Sequence, residues 1–196
     1  MRYTNRGALL VMPKIVDHDQ RRIEILNSSF SAFAENGYAA LSMRQLARSI
    51  GVTTGSLYHY FPSKNALFEA LFERLQEEDL RAAAQTFSNQ VSKQERAQAL
   101  VAFLSARSDR LCKALLIAVE YHRVQPKDDS QQIIEDTING YRQALKDNLS
   151  IDSDELAELL LSVIFGILIQ GSLAPEISDL NGQLMILQAL TLQILS

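Results

Sequence analysis

Apolar residues recur at every third or fourth position along most of this chain of 196 residues. That spacing is typical of helices that bury one face, and the alternating β-branched runs that strands need are missing. Capping residues, glycines and prolines divide the pattern into about nine segments. The sequence therefore predicts an all-α fold with helices at residues 17–36, 42–50, 53–61, 63–87, 92–107, 109–123, 128–149, 152–173 and 179–194.

The second and third helices lie in the segment Leu41–Lys64, LSMRQLARSIGVTTGSLYHYFPSK. Ser42 can cap the first of them through its hydroxyl group. Gly51 can end that helix because glycine adopts the left-handed conformation at little cost. Thr53 or Thr54 can then cap the next helix. Two short helices joined by a tight glycine turn predict a helix-turn-helix.

The charge of this segment is positive throughout. Acidic residues are absent from Leu41–Asn65, where the charged residues are Arg44, Arg48 and Lys64. Residues 1–68 carry eight Lys and Arg against four Asp and Glu, net +4, whereas the remainder carries eleven against nineteen, net −8. Phosphates attract a basic surface that has no carboxylates, so the first part of the chain is predicted to contact nucleic acid.

The helix-turn-helix resembles the DNA-binding domain of the tetracycline-repressor-like (TetR) family of bacterial transcriptional regulators. The matching residues are Ser42, Met43, Ile50, Gly51, Val52, Thr53, Gly55, Leu57, Tyr58, Tyr60, Phe61, Lys64, Leu67 and Phe68. The resemblance implies a homodimer whose two recognition helices enter successive major grooves of a palindromic operator in double-stranded DNA. It also implies phosphate contacts from Tyr60 and Lys64, and for His59 a solvated ring is an equal alternative to a contact. The DNA-binding residues implied are Ser42, Arg44, Thr53, Thr54, Gly55, Ser56, Tyr58, His59, Tyr60 and Lys64.

The last two predicted helices are apolar on more than one face. Few elements remain to cover them, so a second copy of the chain is the favoured cover, with two helices from each copy in a four-helix bundle. A monomer with these helices at the centre of its core is the alternative. The predicted interface residues are Leu156, Leu160, Ile164, Ile167, Leu168, Leu184, Leu187 and Thr191.

A domain boundary is predicted inside the fourth helix. It separates a DNA-binding domain at residues 14–68 from a helical effector-binding and dimerisation domain at residues 69–196. Polar or aromatic residues within apolar stretches of the second domain are candidates for an effector pocket, and core packing is the alternative for each. The candidates are Phe87, Phe103, Cys112, Glu120, Tyr121, His122, Tyr141, Phe165 and Gln170.

The sequence contains little that could support catalysis. His18, His59 and His122 are scattered, metal-ligand spacings and phosphate-cradling glycine patterns are absent, and no cofactor is expected. Only Glu120 with His122 could form a catalytic pair, so an enzyme is a remote alternative. A helical interaction module that does not bind DNA is a further alternative.

Cysteine usage and apolar run lengths bear on location. The single cysteine, Cys112, excludes an intrachain disulfide and favours a reducing cytoplasm. The longest uncharged apolar run, Leu159–Ile169, is shorter than the ~18 residues of a membrane helix, so no membrane partner is expected.

Residues 1–13 show no periodicity. Met12 is a candidate start of the native chain, and disorder is favoured over a basic arm there.

These predictions describe a homodimeric repressor that a small hydrophobic or amphipathic effector releases from DNA. The fourth helix begins in the DNA-binding domain and ends in the second domain without a flexible linker, so it can carry a shift as a rigid body. Release requires that the effector bind the state that does not fit DNA more tightly than the state that does.

Overall fold

A computed structural model of the chain describes residues 17–125 and 127–195, and in this part of the chain every regular element is a helix. The predicted all-α fold is confirmed, whereas the candidate start at Met12 and the basic arm lie outside the described residues. The eight helices are α1 (His18–Asn36), α2 (Met43–Ser49), α3 (Thr54–Tyr60), α4 (Lys64–Phe87), α5 (Lys93–Val124), α6 (Lys127–Leu149), α7 (Asp154–Leu173) and α8 (Leu180–Ile194).

Short polar side chains begin most of these helices. Each accepts a backbone N–H from the first turn, which satisfies a donor that has no partner inside the helix. The same residues precede the apolar stripes of the sequence, which is why the helix starts are close to the predicted ones. The caps are Asp17, Ser42, Thr53, Ser63, Ser92, Ser153 and Asp179.

The helix count differs from the predicted nine because two predicted helices are one. Residues 92–107 and 109–123 belong to the single helix α5, which is 32 residues long. Neither glycine nor proline lies at the predicted break. Asp109 instead accepts a hydrogen bond from Lys113 one turn later at 2.7 Å, a pairing that supports a continuous helix.

Two hydrophobic cores lie along the molecule. The first contains α1, α2, α3 and the first half of α4, together with Ile117 and Tyr121 from the end of α5. The second lies between the end of α4, α5, the end of α6, and helices α7 and α8. The part of the chain around the first core is called the first unit, and the part around the second core is called the second unit. Because α4 and α5 contribute to both cores, two continuous helices join the helix-turn-helix to the rest of the fold.

Candidate nucleic-acid interface and ligand cavity

Helices α2 and α3 form the predicted helix-turn-helix. Ser42 and Gln45 make a reciprocal capping box, in which the Ser42 N–H donates to the Gln45 side chain at 2.9 Å. Gly51 has a φ of +70°, and the N–H of Val52 returns to the Ala47 carbonyl at 2.9 Å. The left-handed glycine ends α2 and turns the chain into α3 without steric strain.

Helix α3 is seven residues long and buries a single side chain, Leu57. Thr53 caps it by accepting the Ser56 N–H at 3.0 Å. Away from the side that Leu57 buries, Tyr58 is 51% exposed, and His59 is also exposed. Such groups on a firmly anchored helix can reach base edges and phosphates.

The exposed surface around α3 includes residues from α1 and α2. Arg44 and Arg48 of α2 are exposed. The Tyr60 hydroxyl lies 3.4 Å from Nδ1 of His18, and the rings of His18 and His59 have centroids 6.0 Å apart. His18 was not among the predicted interface residues, because only the fold brings the start of α1 beside the end of α3.

The Lys64 side chain contacts the turn between α1 and α2. Its Nζ donates to the carbonyl oxygens of Tyr38 and Leu41, both at 2.8 Å, and lies 4.0 Å from the centroid of the Tyr38 ring. Burial lowers the pKa of the Lys64 ammonium. Two of its three donors are therefore used inside the protein, and this geometry favours a tie between α4 and the α1–α2 turn over the predicted phosphate contact.

A cavity of about 380 Å³ lies in the second unit between α4, α5, α6 and α7. Its walls are mostly apolar side chains from all four helices. Five of the predicted pocket residues line it, namely Phe87, Phe103, His122, Tyr141 and Phe165.

The other four predicted pocket residues lie elsewhere. Cys112 is buried in the second core, and Gln170 accepts a hydrogen bond from Gln183 at 2.9 Å. Tyr121 belongs to the first core. Glu120 accepts the N–H of Tyr38 in the first unit, whereas His122 lines the cavity, so the two candidate catalytic residues have different surroundings. Residues two apart on a helix point in different directions, which explains the separation.

The cavity wall contains a buried carboxylate, that of Asp79, which was not predicted from the sequence. Asp79 of α4 accepts hydrogen bonds from Arg107 at 2.8 Å and from the Tyr141 hydroxyl at 2.9 Å, and Arg110 lies 3.5 Å away. Burial raises the pKa of Asp79, an effect that Arg110, Tyr141 and Arg107 oppose. The sequence does hold a signal, because this carboxylate falls within the apolar stripe of α4.

The end of α5 contacts the turn that follows α1. The backbone N–H of Tyr38 donates to Glu120 Oε2 at 2.7 Å, and the Gln125 side chain donates to the Tyr38 hydroxyl at 2.8 Å. Tyr121 stacks on Phe68 of α4 with ring centroids 3.6 Å apart. One helix therefore forms a wall of the cavity and holds the base of the helix-turn-helix.

The outer faces of α7 and α8 are apolar, but with residues that differ from those predicted. Six of the predicted interface residues are buried within the chain itself, which corrects their assignment to a dimer interface; they are Leu160, Ile164, Leu168, Leu184, Leu187 and Thr191. Of the other two, Ile167 is half-buried and Leu156 is exposed. A helix with two apolar faces does not reveal from its sequence which face its own chain covers. The exposed apolar side chains here are Leu156, Leu159, Val163, Leu173, Ile177, Met185, Ile186 and Leu190.

By length and composition, α7 is the one described helix that could cross a membrane. Its inner stripe, with Leu160 and Ile164, packs in the second core instead.

Comparison with known proteins bears on the first unit most directly. Residues 25–71 match the family model described as bacterial regulatory proteins, tetR family. The nucleoid occlusion factor SlmA of Haemophilus ducreyi is 38% identical over 71 residues, which are 35% of this chain and 34% of that protein. The match thus spans about a third of the length of this curated relative.

Solved structures match over nearly the whole chain. A putative TetR-family regulator from Rhodococcus sp. has a TM-score of 0.73 at 19% identity, covering 91% of this chain and 100% of that one. The regulator FadR from Bacillus subtilis, solved with stearoyl-CoA, has a TM-score of 0.67 at 15% identity, covering 87% and 97%. The chain is thus a helix-turn-helix protein with the fold of these regulators. The match of residues 25–71 to the tetR family model agrees with the resemblance seen in the sequence.

Proposed function

We propose that this protein is a homodimeric transcriptional regulator that acts in the cytoplasm as a repressor on a palindromic operator. Helix α3 lies in the major groove of double-stranded DNA. The observation that carries the proposal is the exposed face of α3, which stands within a stretch, Leu41–Asn65, that has no carboxylate. Phosphates would repel a carboxylate at this position.

The proposed DNA contacts divide by chemistry. Thr54, Gly55, Ser56 and Tyr58 face base edges and nearby phosphates, whereas Arg44, His59 and Tyr60 hold phosphates. Ser42 and Thr53 act through their caps, which fix the position of the two helices. Because α3 carries no arginine or asparagine for a bidentate base contact, specificity rests on hydroxyl, methyl and shape readout.

The exposed apolar faces of α7 and α8 form the proposed dimer contact. Leu159, Met185 and Ile186 are 57%, 71% and 63% exposed in the single chain. Soluble monomers seldom leave a continuous apolar patch of this kind open. Two helices from each copy make a four-helix bundle on a two-fold axis, which presents two α3 helices symmetrically to DNA.

The cavity is the proposed effector site, in a second domain at residues 69–196 that is distinct from the DNA-binding residues 14–68. Its volume of about 380 Å³ and apolar walls suit a small hydrophobic or amphipathic molecule. FadR from B. subtilis, which shares the fold, was solved with stearoyl-CoA, an amphipathic molecule, and this supports the proposal.

Two helices carry the proposed coupling between the cavity and DNA. Helix α4 runs through both units, and α5 lines the cavity with Ala118 and His122 while Glu120 holds the turn at Tyr38. An effector that displaces α5 therefore moves the helix-turn-helix. The effector binds the displaced state more tightly, which lowers the affinity for the operator.

A helical interaction module without DNA binding is the second candidate, favoured by the exposed apolar faces of α7 and α8. Selection from a pool of random-sequence duplexes separates the two candidates. The regulator enriches inverted half-sites whose centres are about 10 base pairs apart, or a multiple of that spacing. A pool that remains random after several rounds would contradict the proposed function and favour the interaction module.

A further inference from the structure

The cavity is elongated. On α4 its lining residues run from Phe72 to Phe87 along one stripe, a distance of ~22 Å at the rise of an α-helix. On α5 they run from Leu100 to Arg123, which is longer still. The cavity of about 380 Å³ therefore follows these helices for several turns as a channel, an extent that suits a flexible hydrocarbon chain.

One end of the channel reaches solvent. Val119 of α5 and Ile138 of α6 both line the cavity, and they are 51% and 39% exposed. His122 and Arg123 line it at the same place and are also exposed. At the other end the lining residues Leu100 and Leu168 are buried. The mouth therefore lies between α5 and α6, and it is the basic end.

The charged groups inside the channel and those at its mouth would interact differently with a charged ligand. Inside, Asp79 already accepts from Arg107 and Tyr141 and has Arg110 at 3.5 Å, so it is matched by two guanidinium groups. At the mouth, Arg123 is the permanent charge among the described lining residues. An anionic head group gains from this arrangement, whereas a cationic one finds no uncompensated carboxylate on the described walls.

We infer that the cavity takes a long-chain amphiphile with one anionic head group. The chain lies in the channel between α4, α5 and α6, and the head group lies at the mouth beside Arg123 and His122. Two sources share this chemistry, a free long-chain carboxylate and an acyl thioester of an anionic carrier such as coenzyme A. That the ligand acts as an effector rests on the proposed function, but its binding does not.

Calorimetric titration with three probes of equal chain length tests the head-group charge. Decanoate, decanol and decyltrimethylammonium are titrated separately into the full chain below their micelle-forming concentrations. Decanoate should bind most tightly, on the order of tenfold tighter than the cationic probe. Tightest binding of the cation, or binding of no probe, would overturn the inference.

Substitutions at the mouth and inside the channel test where the head group and the hydrocarbon chain of the ligand lie. Arg123→Gln should weaken decanoate about two- to fivefold while leaving decanol unchanged, because an exposed charge contributes modestly. Arg81→Gln, which removes an exposed arginine outside the lining, is the matched control and should change neither. Ala144→Phe should abolish binding of both probes by filling the channel. An unchanged decanoate affinity in the Arg123 variant would refute the assigned head-group position.

Decanoyl-CoA distinguishes the two sources. Tighter binding than decanoate, with the same dependence on Arg123, assigns the thioester, and weaker binding assigns the free acid. Operator selection on the same preparation keeps this inference separate from the proposed function. If the probes bind but the duplex pool is not enriched, the proposed function as a regulator is wrong. If the pool is enriched but no probe binds, the inferred amphiphile site is wrong.

Discussion

Glu120 of α5 accepts the backbone N–H of Tyr38, which lies 82 residues earlier in the chain, at 2.7 Å. The acceptor lies on a helix that lines the cavity, and the donor lies in the turn between α1 and α2. This hydrogen bond fixes the base of the helix-turn-helix to the cavity wall. In the proposed coupling, a displacement of α5 acts on α2 and α3 through this hydrogen bond as well as through α4.

The closeness of α5 to this turn predicts a difference between two glycine substitutions. Gly37 has a φ of +82°, and a Cβ there would lie 2.9 Å from the Glu120 carboxylate, whereas Gly51 has a φ of +70° and no atom within 4 Å of its Cβ position. Gly51→Ala should cost about 1–2 kcal/mol of unfolding free energy from backbone strain alone. Gly37→Ala should cost more for two reasons. Its φ of +82° is combined with a ψ of 146°, a region that essentially only glycine occupies, and Glu120 must also move. Urea denaturation of both variants measures the difference, and equal losses would contradict the close contact.

Lys64 is predicted to stabilise the fold and not to neutralise a phosphate. Lys64→Met should lower the unfolding free energy by about 1–3 kcal/mol, because the carbonyls of Tyr38 and Leu41 lose their donor. The slope of log affinity for DNA against log salt should stay the same. Arg44→Gln should do the reverse, with unchanged stability and a slope smaller by about one. A Lys64 variant with unchanged stability and a smaller salt slope would indicate instead that Lys64 contacts a phosphate.

Tyr58 is predicted to contribute to sequence preference. Its ring is 51% exposed on α3, so Tyr58→Ala should change the unfolding free energy by less than about 0.5 kcal/mol. The preference for operator over random DNA should fall by roughly one to two orders of magnitude, as for the loss of a base contact worth about 1–3 kcal/mol. Competition titrations with operator and scrambled duplexes measure this ratio. An unchanged ratio would remove Tyr58 from the recognition surface.

The proposed dimer contact is tested by charges placed on the two faces of α7 and α8. Ile186 is 63% exposed, so Ile186→Glu should give a folded monomer in sedimentation experiments and weaken DNA binding. Ile164 is 5% exposed, so Ile164→Glu should unfold the second core instead. Val91→Glu, at a position that is 87% exposed and far from α7 and α8 in sequence, is the control and should remain like the parent. A dimeric Ile186 variant would show that this face is not the interface.

Local chemistry explains why so much of the first unit could be predicted. The cap at Ser42, the left-handed Gly51 and the buried Leu57 each follow from the residue and its near neighbours. The fusion of two predicted helices into α5 was missed for a related reason. Ser108 and Asp109 resemble a helix start, but tertiary packing and the Asp109–Lys113 pair carry the helix through them.

Which residues line the cavity and which form the proposed dimer face depends on the packing of helices against one another, which a single sequence does not reveal. Periodicity placed apolar stripes on α7 but could not say that Ile164 faces the chain's own core and Leu159 faces outward. It likewise could not separate His122, which lines the cavity, from Glu120, which holds Tyr38. Contacts between residues far apart in sequence decided each case.

Every role proposed for this protein as a regulator depends on sequence-specific DNA binding, which fluorescence anisotropy measures. The full chain is titrated onto the duplex upstream of its own gene and onto a scrambled duplex of the same composition, each at two salt concentrations, with the operator recovered by selection as a third duplex. We expect tight, salt-sensitive binding that favours the selected operator by at least about a thousandfold over the scrambled duplex. Weak binding that does not distinguish the three duplexes would contradict it.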